Sequence, residues 1–355
     1  MLSGGTLLAA LATLVIACVA QGEAAASSGD TAALGSARKD ANGRFLNPSG
    51  DIPFASPLVT WPFFFRRAAA MIAGRTGIPA VVANDGAFLR GNAGHSVPVV
   101  TWVGHATLLV QMDHATFLTD PIWSDRASPV SFGGPRRMVP PGIALDALPP
   151  IDFVLVSHNH YDHLDVDTLG ELARRNPAAR FVVPLENGDT LRAAGVRDVV
   201  ELGWGDGVTI AGIQVVCLPT QHWSGRGPFD ARKALWGSYA VLGPERRFYF
   251  AGDTGYFDGF SRVGERWGPF DLAALPIGAY SPSAMMRPWH LNPEEAVRAG
   301  LDLRARRIVA IHYGTFDLSD EPPDEPPRRL RAAAADASIS SDDTYVLKIG
   351  ETRGF

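Results

Sequence analysis

An α/β fold of two sheets flanked by helices is what this sequence predicts, and three observations predict it. Short strand-like runs crowd together from Val97, and strand-like and helical runs then mix through to the C-terminus. Four of the strand-like runs end in a residue able to hold a metal. The 355 residues suffice for one large domain or two smaller ones, and 46% hydrophobic with 19% charged residues is a globular composition rather than a disordered one. A net charge of -5 argues against a nucleic-acid partner, whose phosphates call for a basic face.

The chain opens on "MLSGGTLLAALATLVIACVAQGEAAASSGD", and residues 1–26 have the form of an export signal. The apolar run from Leu7 to Ala20 is shorter than the roughly 20 residues of a membrane-spanning helix. Within it "VIAC" resembles a bacterial lipoprotein processing box with Cys18 as the lipidated residue. The expected location is therefore outside the cytoplasm of a bacterium, in the periplasm or anchored to a membrane. An uncleaved N-terminal anchor is the competing reading. Cys217 is the only other cysteine, so no disulfide framework is available.

Residues 27–95 read as a linker and N-terminal extension, rich in Ala, Ser, Gly and Asp as far as Asn42. "WPFFFRRAAAMIAGR" (Trp61 to Arg75) sets aromatics beside paired arginines. That suits a helix lying on a membrane surface, and equally a segment packing its aromatics on the domain.

From there the elements follow in order. "VPVVTWVG", "ATLLVQM" and "ATFLTDP" are strands, the last two joined by a turn at Met112-Asp113-His114. "SPVSFGGPRRMVPPG" is a long loop. "DFVLV" is a strand, and "DVDTLGELARR" a helix with Asp165 or Asp167 placed to cap it. Strands "RFVVP", "GVTIAG", "IQVVCLP", "SYAVLG" and "RFYFAG" come next. A helix at "NPEEAVRAGLDL" precedes the strand "RRIVAIH", and "TYVLKIG" makes a closing strand.

The strand ends carry the chemistry. "DFVLVS" leads to His158, "IQVVCLPTQ" to His222, "RFYFAG" to Asp253 and "RRIVAI" to His312. Ligands placed at strand ends are held by a rigid sheet while loops shape the pocket. His158 and His160 are one residue apart, so in extended chain they point the same way. Asp162 and His163 follow where the chain turns into a helix. Imidazole with carboxylate suits zinc and similar divalent ions. With His222, Asp253 and His312 the set reaches seven, enough for two metals sharing a bridging ligand.

"HNHYDH", His222, "AGDTG" and "AIHYGTF" resemble the metallo-β-lactamase superfamily. More closely, "TWVGHATLLV", "LTDPIWSDRASPVSFGGPRR", "LVSHNHYDHLD", "PTQHWSGR", "LWGSYAVLGPERRFYFAGDTGY" and "HLNPEEAV" resemble the N-acyl-phosphatidylethanolamine-hydrolysing phospholipase D family and its bacterial relatives. The likeness starts near "GRFLNP" (Gly43 to Pro48), is otherwise weak before Val97, and runs to the C-terminus. It implies a four-layer αββα sandwich over residues 96–355 with two zinc ions at the edge between the sheets. His158, His160 and His222 would hold one ion, Asp162, His163 and His312 the other, and Asp253 would bridge them. Histidine rather than glutamate at position 160 sets the chain apart from the di-iron flavoprotein branch.

The resemblance further implies a zinc-dependent phosphodiesterase acting on N-acyl phosphatidylethanolamine-like phospholipids through a metal-bridging hydroxide. Its catalytic residues would be Asp162 and His290, the latter beside the substrate phosphate as orienting group or general acid. Asp120 and His105 would support the ligands from behind. Arg136, Arg137, Arg226 and Arg287 are candidates for phosphate contact, whereas His95 and His114 look incidental. Peripheral membrane contact and a homodimer are the partner states the resemblance admits. Two other functions stay open: a metal-dependent lactonase or esterase of the same fold, and a non-catalytic envelope lipoprotein.

Overall fold

The computed structural model describes residues 36–73, 76–94 and 97–355. The expected export signal, Cys18 and His95 lie outside the described residues. Two sheets of seven strands each dominate the rest. The first is built from β1 (Val99–Gly104), β2 (Thr107–Met112), β3 (Ala115–Thr119), β4 (Phe153–Leu155), β5 (Arg180–Pro184) and β6 (Val199–Leu202), with β14 (Thr352–Gly354) at its edge beside β1. The second runs from β7 (Gly207–Ile210) through β8 (Ile213–Leu218), β9 (Ser238–Leu242), β10 (Arg247–Phe250), β11 (Leu272–Pro276) and β12 (Ile308–Ile311) to β13 (Thr344–Tyr345). Each sheet begins as an antiparallel meander and continues as parallel strands.

Period-two alternation explains the layering. In β1, Val100 and Trp102 enter the core shared with the second sheet, whereas Val99 and Val103 enter a separate core beneath the helices. β2 repeats the pattern, with Leu108 and Val110 to one side and Leu109 to the other. The outer core is closed by α3 (Val166–Arg175) through Leu169 and Leu172, and by α4 (Gly188–Ala193) through Leu191. Over the second sheet, α5 (Gly259–Arg266), α7 (Pro293–Asp302) and α8 (Glu325–Asp336) bury Phe260, Val297 and Leu330, with the short α6 (Ser283–Met286) between α5 and α7 in the chain. The result is an α/β sandwich.

The structure departs from expectation at both ends of the domain. "TYVLKIG" was expected to form one closing strand, yet only Thr344–Tyr345 pairs with β12. The chain then crosses to the other sheet, where β14 pairs with β1. The crossing passes Gly350, at φ 90°, where a Cβ would lie 2.3 Å from the Val82 carbonyl oxygen. The N-terminal extension is packed beyond the expected linker: Phe45 is buried in the main hydrophobic core and Asn47 is buried close to it in the chain. Leu89, on α2 (Ala87–Asn92), is buried beneath the first sheet. Buried residues therefore precede residue 96.

The aromatic segment forms α1 (Pro57–Ala73), with Phe63 buried and Leu58 and Phe65 exposed at 88% and 62%. Among the described residues no helix is long and apolar enough to cross a membrane.

Candidate metal centre

Five strands deliver the residues of the site, all from their C-terminal ends. β3 leads to Asp120, β4 to the segment from Ser157 to His163, β8 to His222, β10 to Asp253 and β12 to His312. Both sheets therefore meet at one edge. Meeting requires unusual backbone: Asp120, His105 and His312 adopt φ of 35°, 52° and 62°, which costs non-glycine residues free energy. The His312 N–H donates to the His105 carbonyl at 3.0 Å, so two of these residues hold each other in place. Gly252, at φ 58°, brings the end of β10 against Ser157, where a Cβ would meet the serine Cβ at 2.5 Å.

Two groups of donors result. His160 Nδ1 lies 2.8 Å from His158 Nε2 and 3.3 Å from His222 Nε2. Nearby, Asp162 Oδ2 lies 3.3 Å from His163 Nε2 and 3.5 Å from His312 Nε2. Asp253 Oδ2 sits between the groups, 3.1 Å from His312 Nε2, 3.2 Å from His163 Nε2 and 3.8 Å from His222 Nε2. The contacts of Asp162 and Asp253 with His163, His222 and His312 are close without being aligned as hydrogen bonds. His163 Nε2, His312 Nε2 and Asp253 Oδ1 are buried with no hydrogen-bond partner. Buried polar atoms are rarely left so, and several imidazole and carboxylate atoms aimed at common points are the donor set of a divalent cation.

The atoms behind the donors decide which way each ring faces. Asp120 accepts the Ser157 N–H and hydroxyl, each at 2.6 Å, and the His163 Nδ1–H at 2.6 Å. The Ser157 oxygen in turn accepts His158 Nδ1–H at 2.9 Å. One carboxylate thus orients a histidine in each group and turns its Nε2 inward. His222 Nδ1–H donates to the Trp289 carbonyl at 2.9 Å with the same effect. His105 Nε2 meets Asp162 Oδ2 at 2.9 Å. Asp120 thus stands behind Ser157 and His163, and His105 behind Asp162. Ser157 was missed, and its position directly before His158 on a buried strand end was the available signal.

Burial and charge separate the two groups. Burial holds His158 and His222 well below the ordinary histidine range and His160 at about 4, so the trio is neutral near pH 7. Burial acts the same way on His163 and His312, but the neighbouring carboxylates, Asp253 foremost, outweigh it. They lift His163 well above its usual range and His312 to about 9. Burial disfavours the charged forms of Asp162 and Asp253, yet His163 and its neighbours hold both well below the carboxylate range. At Asp120 burial prevails and raises the carboxyl.

A cavity opens over the centre. His160, Asp253, His290 and His312 line its polar end, and Phe54, Phe64, Trp223, Met286, Trp289 and Leu318 its walls. His290 is half-buried, the desolvation lowers it to about 4, and its Nδ1 faces Asp253 Oδ2 at 3.8 Å without a hydrogen-bond partner. Of the four expected phosphate contacts only Arg226 lines the cavity, lying over the Tyr161 ring and donating to the Asn159 and Leu164 carbonyls. Arg137 instead braces the Ile122 and Ser124 carbonyls, Arg287 pairs with Glu295, and Arg136 is exposed. Asp165 caps α3, accepting from Thr168, and also takes the Ser124 N–H. His114 is exposed on its turn.

Residues 115–313 match the model of the beta-lactamase superfamily domain. The chain is 44% identical over 286 residues to an uncharacterized protein of Mycobacterium tuberculosis, covering 78% of this chain and 73% of that one. It is also 44% identical over 259 residues to N-acyl-phosphatidylethanolamine-hydrolyzing phospholipase D 1 of Caenorhabditis elegans, covering 70% of this chain and 73% of the relative. Among solved structures, a metallo hydrolase from the archaeon Ignicoccus hospitalis superposes with a TM-score of 0.55 at 25% identity, over 73% of this chain and 98% of that one.

Proposed function

The chain belongs to the metallo-β-lactamase superfamily as a metal-dependent hydrolase homologous to N-acyl-phosphatidylethanolamine-hydrolysing phospholipase D, and we propose that it shares that reaction. Its substrate is an N-acyl phosphatidylethanolamine-like phospholipid, and its products are an N-acylethanolamine and phosphatidic acid. One observation carries the reading: Asp253 stands between two histidine groups at the polar end of an otherwise apolar cavity that also presents His290. His158, His160 and His222 would hold one zinc ion and Asp162, His163 and His312 a second, with Asp253 standing between the two groups. Two zinc ions bound there would supply Lewis acidity toward a water and toward the phosphodiester oxygens.

The remaining work belongs to the side chains. His290, neutral before substrate arrives, offers one N–H to a phosphate oxygen. An anionic phosphodiester beside it raises its proton affinity, so the ring takes up a second proton from solvent and passes it to the leaving oxygen when the phosphorus–oxygen bond to the ethanolamine breaks. Asp162, fixed by His105, keeps its carboxylate at the polar end of the cavity. Phe54, Phe64, Trp223 and Leu318 exclude water and receive the acyl chains. α1 contributes Thr60 and Phe64 to the cavity while exposing Leu58 and Phe65, which suits a mouth resting on a lipid surface. Export to that surface through residues 1–26, and a homodimer, belong to the same reading on the strength of the sequence.

Zinc-loaded protein incubated with N-acylated phosphatidylethanolamine in mixed micelles should release N-acylethanolamine and phosphatidic acid by lipid mass spectrometry. His290→Ala should keep its zinc and lose about 10²–10⁴-fold in kcat. A clear preference for lactones over phosphodiesters would move the assignment to a lactonase. No turnover of either class in a fully zinc-loaded protein would leave a binding protein.

A further inference from the structure

The N-terminal extension reaches the metal centre at a residue that the ligand spacing does not single out. Asn47 is buried, and its Oδ1 accepts the backbone N–H of His222 at 2.9 Å. That N–H needs a partner, because His222 lies four residues past the end of β8 at Leu218, where the sheet ladder no longer supplies one. His158, by contrast, follows Val156 and Ser157, whose N–H groups are held by Val182 and Asp120. The same extension is fastened to the chain just beyond His222: the Phe45 N–H donates to the Arg232 carbonyl at 2.7 Å, and Arg44 Nη1 to the Ala231 carbonyl at 2.9 Å. Phe54 packs edge-on against Trp223 at 5.1 Å between ring centroids and lies tilted against Trp289 at 5.4 Å. Trp289 is the residue whose carbonyl holds the His222 ring.

We propose that Asn47 is a positioning residue for the His158/His160/His222 cation. His222 is pinned at its ring by Trp289 and at its backbone by Asn47, and the two restraints together set Nε2 opposite His160. Without Asn47 the backbone restraint is gone and the donor that comes from the second sheet is free to drift from the two that come from the first. The inference rests on reading those three histidines as one ion's ligands, and it makes the extension part of one half of the centre only.

The test is cation affinity of the full chain, stripped with a chelator and titrated with Zn²⁺ against a chromophoric competitor. Asn47→Ala should bind one of its two ions about tenfold more weakly, the order expected for an outer partner of a ligand, and the other unchanged. Asn47→Asp keeps an acceptor oxygen and should restore wild-type affinity. Phe45→Ala, which loosens the same segment in the core, should lower the melting temperature in chelator without singling out one ion. Equal weakening of both ions in Asn47→Ala, or no weakening, overturns the proposal while leaving the two-ion reading intact. A wild-type chain that binds no zinc overturns the reading beneath it and this inference together.

Discussion

The two halves of the metal centre use the same side-chain types to opposite electrostatic ends. The half around His158, His160 and His222 is three imidazoles kept neutral by burial, with no carboxylate of its own. The half around Asp162, His163 and His312 is a charged network in which carboxylates hold two histidines protonated against the pull of burial. Burial alone does not determine a histidine's charge here. The carboxylates within about 3–3.5 Å do, because in a low-dielectric interior such charges outweigh desolvation. One half is ready for a cation as it stands, and the other must give up protons to receive one.

Removing what the halves share gives the largest effect. Asp253→Ala should abolish measurable hydrolysis, a loss beyond the roughly 10–100-fold that an outer partner costs, and should weaken both ions in the same zinc titration. Retention of one ion at wild-type affinity would mean that Asp253 belongs to a single half. Asp120→Ala ranks next, because that carboxylate orients His163 directly and His158 through Ser157. Both ions should weaken by about 10–100-fold, in contrast to the one-sided effect expected at Asn47. If only one ion responds, the serine relay carries nothing.

The smallest effect is the one that tells the halves apart. A histidine raised to about 9 is still protonated at pH 7, so zinc entering beside His312 and His163 displaces protons, and its affinity should climb from pH 6 to pH 9. The neutral trio, with His160 at about 4, has no proton to lose over that range, and its affinity should stay flat. Equilibrium dialysis at four pH values reads both slopes, and equal slopes would erase the distinction.

Much of the centre was legible in the sequence because the residues that converge there sit at fixed offsets from strands. His158, His222, Asp253 and His312 each follow an apolar run of a kind that only burial in a sheet explains. The elements that went unread lacked such a signature. "LAALP" (β11) is too rich in alanine to announce a strand. "EPPRRLRAAAAD" (α8) begins with prolines that read as loop, although the first turn of a helix accepts them. The crossing of β14 to the first sheet depends on a glycine turn against Val82, a segment some 270 residues earlier by the numbering.

By itself the sequence determined the class of fold, the seven converging residues and their order, since hydrophobic period and ligand spacing are local properties of the chain. Tertiary structure decided how those residues divide into a neutral and a charged half, and which atoms stand behind them. Those outcomes depend on which carboxylate lies within a few ångströms of which ring once two sheets have closed. The left-handed turns at His105, Asp120 and His312 exist only because the packed sheets hold them. Asn47 is the sharpest case: 175 residues from His222 in the chain, it becomes a neighbour of the centre through folding alone.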